Sequence, residues 1–137
     1  MKNDIQLEGI KFWVDENIIY CKISTDFIID NQKKHIEEIF YNGISLLTQR
    51  KYMPMLINME QMSSSNSIKI FKILAQSQSV RGLILSQIFL VKSIGLKVCL
   101  TIYNIIKKPF FINKICDDFD VAVKYCNMDN KVFNSLS

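Results

Sequence analysis

A single histidine, His35, serves the whole chain, and the four cysteines, Cys21, Cys99, Cys116 and Cys126, include no Cys-x-x-Cys pair. Zinc sites are built from such closely spaced ligands, so no metal centre is expected. Cysteines scattered in this way are expected to be reduced thiols, which fits a cytoplasmic chain. With two prolines and four glycines in 137 residues there is no Pro/Gly-rich linker to divide the chain, and one hydrophobic core is expected. Arginine is nearly missing: two against fifteen lysines, which are scattered and give a net charge of +4. Nucleic-acid binders concentrate arginine in a stripe interleaved with aromatics, so nucleic acid is not an expected partner.

Residues 1–8 hold no apolar run, so no secretory signal is expected. The most apolar stretch, 83–106, is broken by Lys92, Ser93, Gly95 and Lys97, and two lysines near the middle of a bilayer span would be costly. It reads as a buried strand followed by a helix, with no transmembrane segment. The phosphate-binding G-x-x-x-x-G-K motif, G-x-G-x-x-G, G-x-S-x-G and H-E-x-x-H are all missing. Asp117, Asp118 and Asp120 fall at the start of a predicted helix, where the macrodipole favours carboxylates without any catalytic role. His35 has no recognised catalytic companion and reads as a surface residue. No catalytic residue and no cofactor is therefore expected, and the chain reads as non-enzymatic.

What is present is apolar substance. Hydrophobic residues make up 49%, with nine Phe, five Tyr and one Trp, enough to offset the ordering entropy of a globular α/β domain. The runs IKFWV (10–14) and IIYCKI (18–23), split by Asp15-Glu16-Asn17, predict a β-hairpin. Ile36, Ile39, Phe40, Gly43, Ile44 and Leu47 recur at helical spacing, with Asp30 available as N-cap and Arg50-Lys51 at the far end. A strand at 53–59 with Pro54 at its entrance, a helix over 66–75, a buried strand at 84–91 and a helix opened by Ser93 follow. Pro109 ends that helix, 110–115 returns as a strand, and Asp117 caps a last helix with a core stripe of Phe119, Ala122, Val123 and Cys126. The predicted order is ββαβαβαβα over residues 1–126 as a single domain, with a mainly parallel or mixed sheet and packed helices, and a polar C-terminal tail over 127–137.

An opening hairpin, then helices and strands in alternation, resembles the STAS-like superfamily, which includes the anti-sigma-factor antagonists and related CRAL-TRIO-like domains. Most specific is 55–109: the apolar strand MLINM, the loop QMSSSNS, a helix, an apolar strand, and a Ser-capped apolar helix ending KKP. In the antagonists a serine in a D-S-S-G segment opening a helix is phosphorylated by a partner kinase. The matching segment here is Asn66-Ser67-Ile68-Lys69, which lacks the acid and the glycine. The resemblance implies a regulatory, protein-binding role.

Two groups of residues are candidates for function. Ser63, Ser64, Ser65 and Ser67 combine hydroxyls with the free N–H groups of a helix start and are a candidate phosphorylation or anion site, although a turn with its N-cap is the more ordinary use of such residues. In the helix from Ser93, a narrow polar stripe of Lys97, Thr101, Asn104 and Lys108 leaves an apolar surface wider than one sheet face needs. Ile94, Val98, Ile102, Ile105 and Ile106 would then meet neighbouring helices, a protein partner, a second copy in a homodimer, or an apolar ligand or lipid. A regulatory interaction module is the leading expectation, and a carrier or sensor of an apolar ligand is the alternative.

Overall fold

The computed structural model describes residues 4–25, 33–107 and 113–136. Six strands, β1 (Ile5–Leu7), β2 (Ile10–Asp15), β3 (Ile18–Ile23), β4 (Met55–Asn58), β5 (Gln87–Leu90) and β6 (Asn113–Cys116), form one mixed sheet in sequential order. β1 to β3 run antiparallel, and β3 to β6 run parallel. The helices are α1 (Lys33–Thr48), α2 (Ser64–Ala75), α3 (Gln78–Arg81), α4 (Ile94–Lys107) and α5 (Phe119–Ser135). The α/β class and the mixed sheet agree with the sequence, whereas the order βββαβααβαβα contains one strand and one helix more than predicted. Asp30, Lys108, Pro109 and the first residues of the predicted strand at 110–115 lie outside the described residues.

The antiparallel corner is set by two tight turns. Glu8 and Gly9 link β1 to β2 with φ of 48° and 88°, and Glu16 and Asn17 link β2 to β3 with φ of 48° and 64°. Two consecutive left-handed residues match the right-handed twist of the flanking strands. From β3 onwards each crossover steps one strand in the same direction, so right-handed connections place α1, α2 and α4 on the same face. Alternate strand residues, Ile10, Phe12, Ile19, Cys21, Met55, Ile57 and Phe89, meet Ile36, Phe40, Ile44, Ile70, Phe71, Leu74, Leu96 and Leu100 from those helices in the main core. Each such aliphatic or aromatic side chain contributes about 1.5–3 kcal/mol through burial.

Among the described residues, α5 is the one helix that covers the other face. Ile18, Leu56, Ile88, Leu90 and Cys116 pack there against Ala122 and Cys126. Where α5 does not reach the hairpin, an aromatic row takes over: Trp13 stacks on Tyr20 at 5.3 Å, and Tyr20 lies 6.4 Å from Phe119. The last helix is capped by Asp118, one residue later than predicted, its Oδ2 accepting from Val121 N at 3.1 Å. It also continues through the segment predicted to be a tail. Asp129 accepts from Ser86 Oγ at 2.7 Å and pairs with Lys114 at 3.0 Å, and Asn130 Nδ2 donates to the Asn17 carbonyl at 3.0 Å. These polar contacts tie residues 127–135 back to the sheet, so the boundary drawn at 126 falls inside a helix. Among the described residues no helix is long and apolar enough to cross a membrane.

Candidate functional site

The serine cluster sits at the C-terminal edge of the parallel strands, where β4 passes into α2. Asn58 Oδ1 accepts from Glu60 N at 3.0 Å and turns the chain, and Ser63, the N-cap of α2, accepts from Asn66 N at 3.1 Å. Ser63, Ser64 and Ser65 are exposed. Ser67 is separated from them: it is fully buried, and its hydroxyl has no hydrogen-bond partner. Its place on the helix explains this, because Ile70, Phe71 and Leu74 follow at i+3, i+4 and i+7 on the inner face. A kinase could not reach Ser67 without unwinding the first turns of α2. The hydroxyl of Ser63 is already engaged as a cap, which leaves Ser64 and Ser65 as the free members of the cluster.

Ser93 opens α4 beside this loop, accepting from Leu96 N at 3.2 Å. Leu96 and Leu100 are buried, and Tyr103 packs on the same side, its ring 5.8 Å from Phe71 on α2 and its hydroxyl accepting from Gln76 Nε2 at 3.3 Å. Lys97, Thr101 and Asn104 fall on the flank towards β6. Lys97 reaches Asp117 at 3.6 Å, Thr101 Oγ1 donates to the Lys97 carbonyl at 2.7 Å, and Asn104 shares hydrogen bonds with Asn113. The remaining arc faces solvent. Exposure is 68% at Ile94, 50% at Val98, 52% at Ile102, 65% at Ile105 and 70% at Ile106. Cys99 is also exposed, and a Cβ at Gly95 would meet nothing within 4 Å. At 100° per residue this uncovered apolar arc spans about 140° of the helix. Among the described residues, no neighbouring helix covers it.

The remaining chemistry-bearing groups are held in quiet states. Burial pushes the Cys21 thiol well above its ordinary value and Cys126 up to about 12. At Cys116 burial again raises the thiol, although the Lys97 ammonium pulls the other way. Thiolates are the reactive form, so these three thiols are shifted away from nucleophilic chemistry. Burial also raises the Tyr20 phenol, reinforced by Cys126, Asp15 and Glu16. His35 Nε2 lies 3.0 Å from Glu8 Oε1 at the surface, remote in sequence from both candidate sites. Asp118 is a helix cap, Asp117 is bound to Lys97, and Asp120 stands exposed in the first turn of α5, where the helix dipole favours an acid.

One charge pattern is invisible to a count of short lysine pairs. Between Glu60 and Asp117 there is no Asp or Glu, whereas Lys69, Lys72, Arg81, Lys92, Lys97, Lys107, Lys108 and Lys114 all fall there. Counting short lysine pairs hides this run; following the sign of successive charges reveals it. No family model, curated protein or solved structure matches the chain.

Proposed function

We propose that this protein is a non-enzymatic regulatory module of STAS-like build that works by docking, with the outer face of α4 as its contact surface. The observation that carries this reading is the exposed row of Ile94, Val98, Ile102, Ile105 and Ile106 on a helix whose opposite side is firmly packed. Large contiguous apolar patches on soluble proteins commonly mark interaction sites. The raised thiols and the structurally engaged acids favour docking over catalysis. Two grooves among the described residues, one lined by Lys34, Glu37, Glu38, Tyr41, Asn42 and Ser79 and the other by Asn17, Arg50, Lys51, Tyr52, Asn130, Phe133 and Asn134, include no residue of α4, so its exposed row is a surface of its own.

Ile102→Lys and Ile106→Lys test the reading. Each variant is expected to keep the circular dichroism and the thermal midpoint of the wild type, because neither side chain supports the core. In extract of its own cells, the wild type is expected to fractionate with a larger assembly or with membranes, and the variants as a 16.0 kDa monomer. Unfolding of both variants would make the face internal core and end the docking reading.

A further inference from the structure

Resting on the reading of α4 as a docking surface, we propose that its occupant is an anionic lipid bilayer, on which α4 lies flat with its isoleucines at the acyl boundary and the surrounding lysines at the headgroups. Three exposed cations border the apolar arc. Lys72 Nζ lies 5.2 Å from the ring centroid of Tyr103 on α4, so Lys72 borders α4, and Lys69 is one turn earlier on the same side of α2. Lys92 stands just before α4, while Lys107, its last residue, falls at the angle of the packed Leu96 and Leu100 and takes no part in the frame. On the opposite flank Lys97 carries the nearest carboxylate, Asp117, at 3.6 Å.

The sign of this frame selects the occupant. A second copy stacked antiparallel on α4 about a two-fold axis across the helix would set the Lys69–Lys72 flank of one chain against the same flank of the other, with no carboxylate from residues 61–116 to pair it; the nearest acid, Asp117, lies on the opposite flank and is engaged by Lys97. A negative surface is the complementary one. Polarity then separates a bilayer from an acidic protein. Protein interfaces carry about one hydrogen bond per 100–200 Å², yet the arc through Ile94, Val98, Ile102, Ile105 and Ile106 offers no oxygen or nitrogen on any side chain. Apolar residues along one helix face with lysines beside them are the pattern of helices lying in the membrane interface, where lysine stems reach outwards to the headgroups.

The test is co-sedimentation of the purified full chain with vesicles of phosphatidylcholine alone and of phosphatidylcholine mixed equally with phosphatidylglycerol. Binding is expected on the mixed vesicles, weakening as salt rises, with little on the neutral ones. Lys69→Gln combined with Lys72→Gln should weaken it by roughly five-fold per lysine. Ile102→Asn combined with Ile105→Asn should abolish it while circular dichroism stays that of the wild type. The lysine variant keeps the test valid if the isoleucine variant unfolds, since Lys69 and Lys72 are exposed. Equal binding to both vesicles, or binding to neither, overturns the proposal. A dimer in light scattering that Ile102→Asn dissociates, without vesicle binding, overturns the lipid surface and leaves the docking reading standing. Unfolding of Ile102→Lys and Ile106→Lys removes both.

Discussion

A methyl group added to Gly43 would stand 2.7 Å from Cε2 of Phe12, a ring that is fully buried and lies edge-on to Phe40 at 5.5 Å. The glycine is therefore a packing residue that lets α1 lie close on β2. Gly43→Ala gains helix propensity but must displace that ring, and a net loss of about 1–3 kcal/mol is expected in urea unfolding. The opposite sign is expected at Gln87, which is fully buried in β5 with both side-chain polar atoms unpartnered. Gln87→Leu removes the cost of holding a dry amide and should stabilise by about 1–2 kcal/mol. The thiols give a pH dependence. Because burial raises Cys21, Cys116 and Cys126 in the folded chain, the unfolded chain releases their protons first. Their contribution to stability is complete below about pH 9 and is lost as pH climbs towards about 12, the value for Cys126. Chemical denaturation at a series of alkaline pH values should show that fall, less steep in Cys126→Ala. At neutral pH Cys99 alone should react rapidly with a thiol reagent, and all four in denaturant.

Elements with strong apolar periodicity were legible in the sequence: the hairpin of β2 and β3, α1, the body of α2, and α4 with its Ser93 cap. β1 was not, because three residues, Ile5–Leu7, carry too little alternation to register; the Glu8-Gly9 turn was its only signal. α3 is four residues of mostly polar sequence held by Ser77, whose Oγ accepts from Val80 N. The end of α5 departs from the expected tail for a different reason. Its residues 127–135 are anchored through hydrogen bonds and an ion pair, which hydrophobic patterning does not register. Asp129→Ala tests that anchor. It leaves Lys114 and Ser86 without their shared partner, and a loss of about 1–3 kcal/mol is expected by thermal or urea unfolding. As for the candidate sites, the breadth of the apolar surface on α4 could be read from spacing alone. The seclusion of Ser67 could not, because only the packing of α2 on the sheet decides which hydroxyl of a serine run turns inwards.

Taken whole, the molecule has unequal sides. Among the described residues, four helices serve one face of the sheet, whereas α5 is the sole helical cover of the other. Strands add in strict sequence, each beside its predecessor, so the sheet can grow as the chain emerges from the ribosome. Its second face must wait. Ile18, Leu56, Ile88 and Leu90 stay bare until residues 119–135 have cleared the exit tunnel, and synthesis thus passes through a nearly complete sheet with one wet apolar side. A chain stopped after Asp118 should mimic that moment, collecting in the insoluble fraction or on chaperones, and supplying residues 119–137 as a separate peptide should restore its solubility.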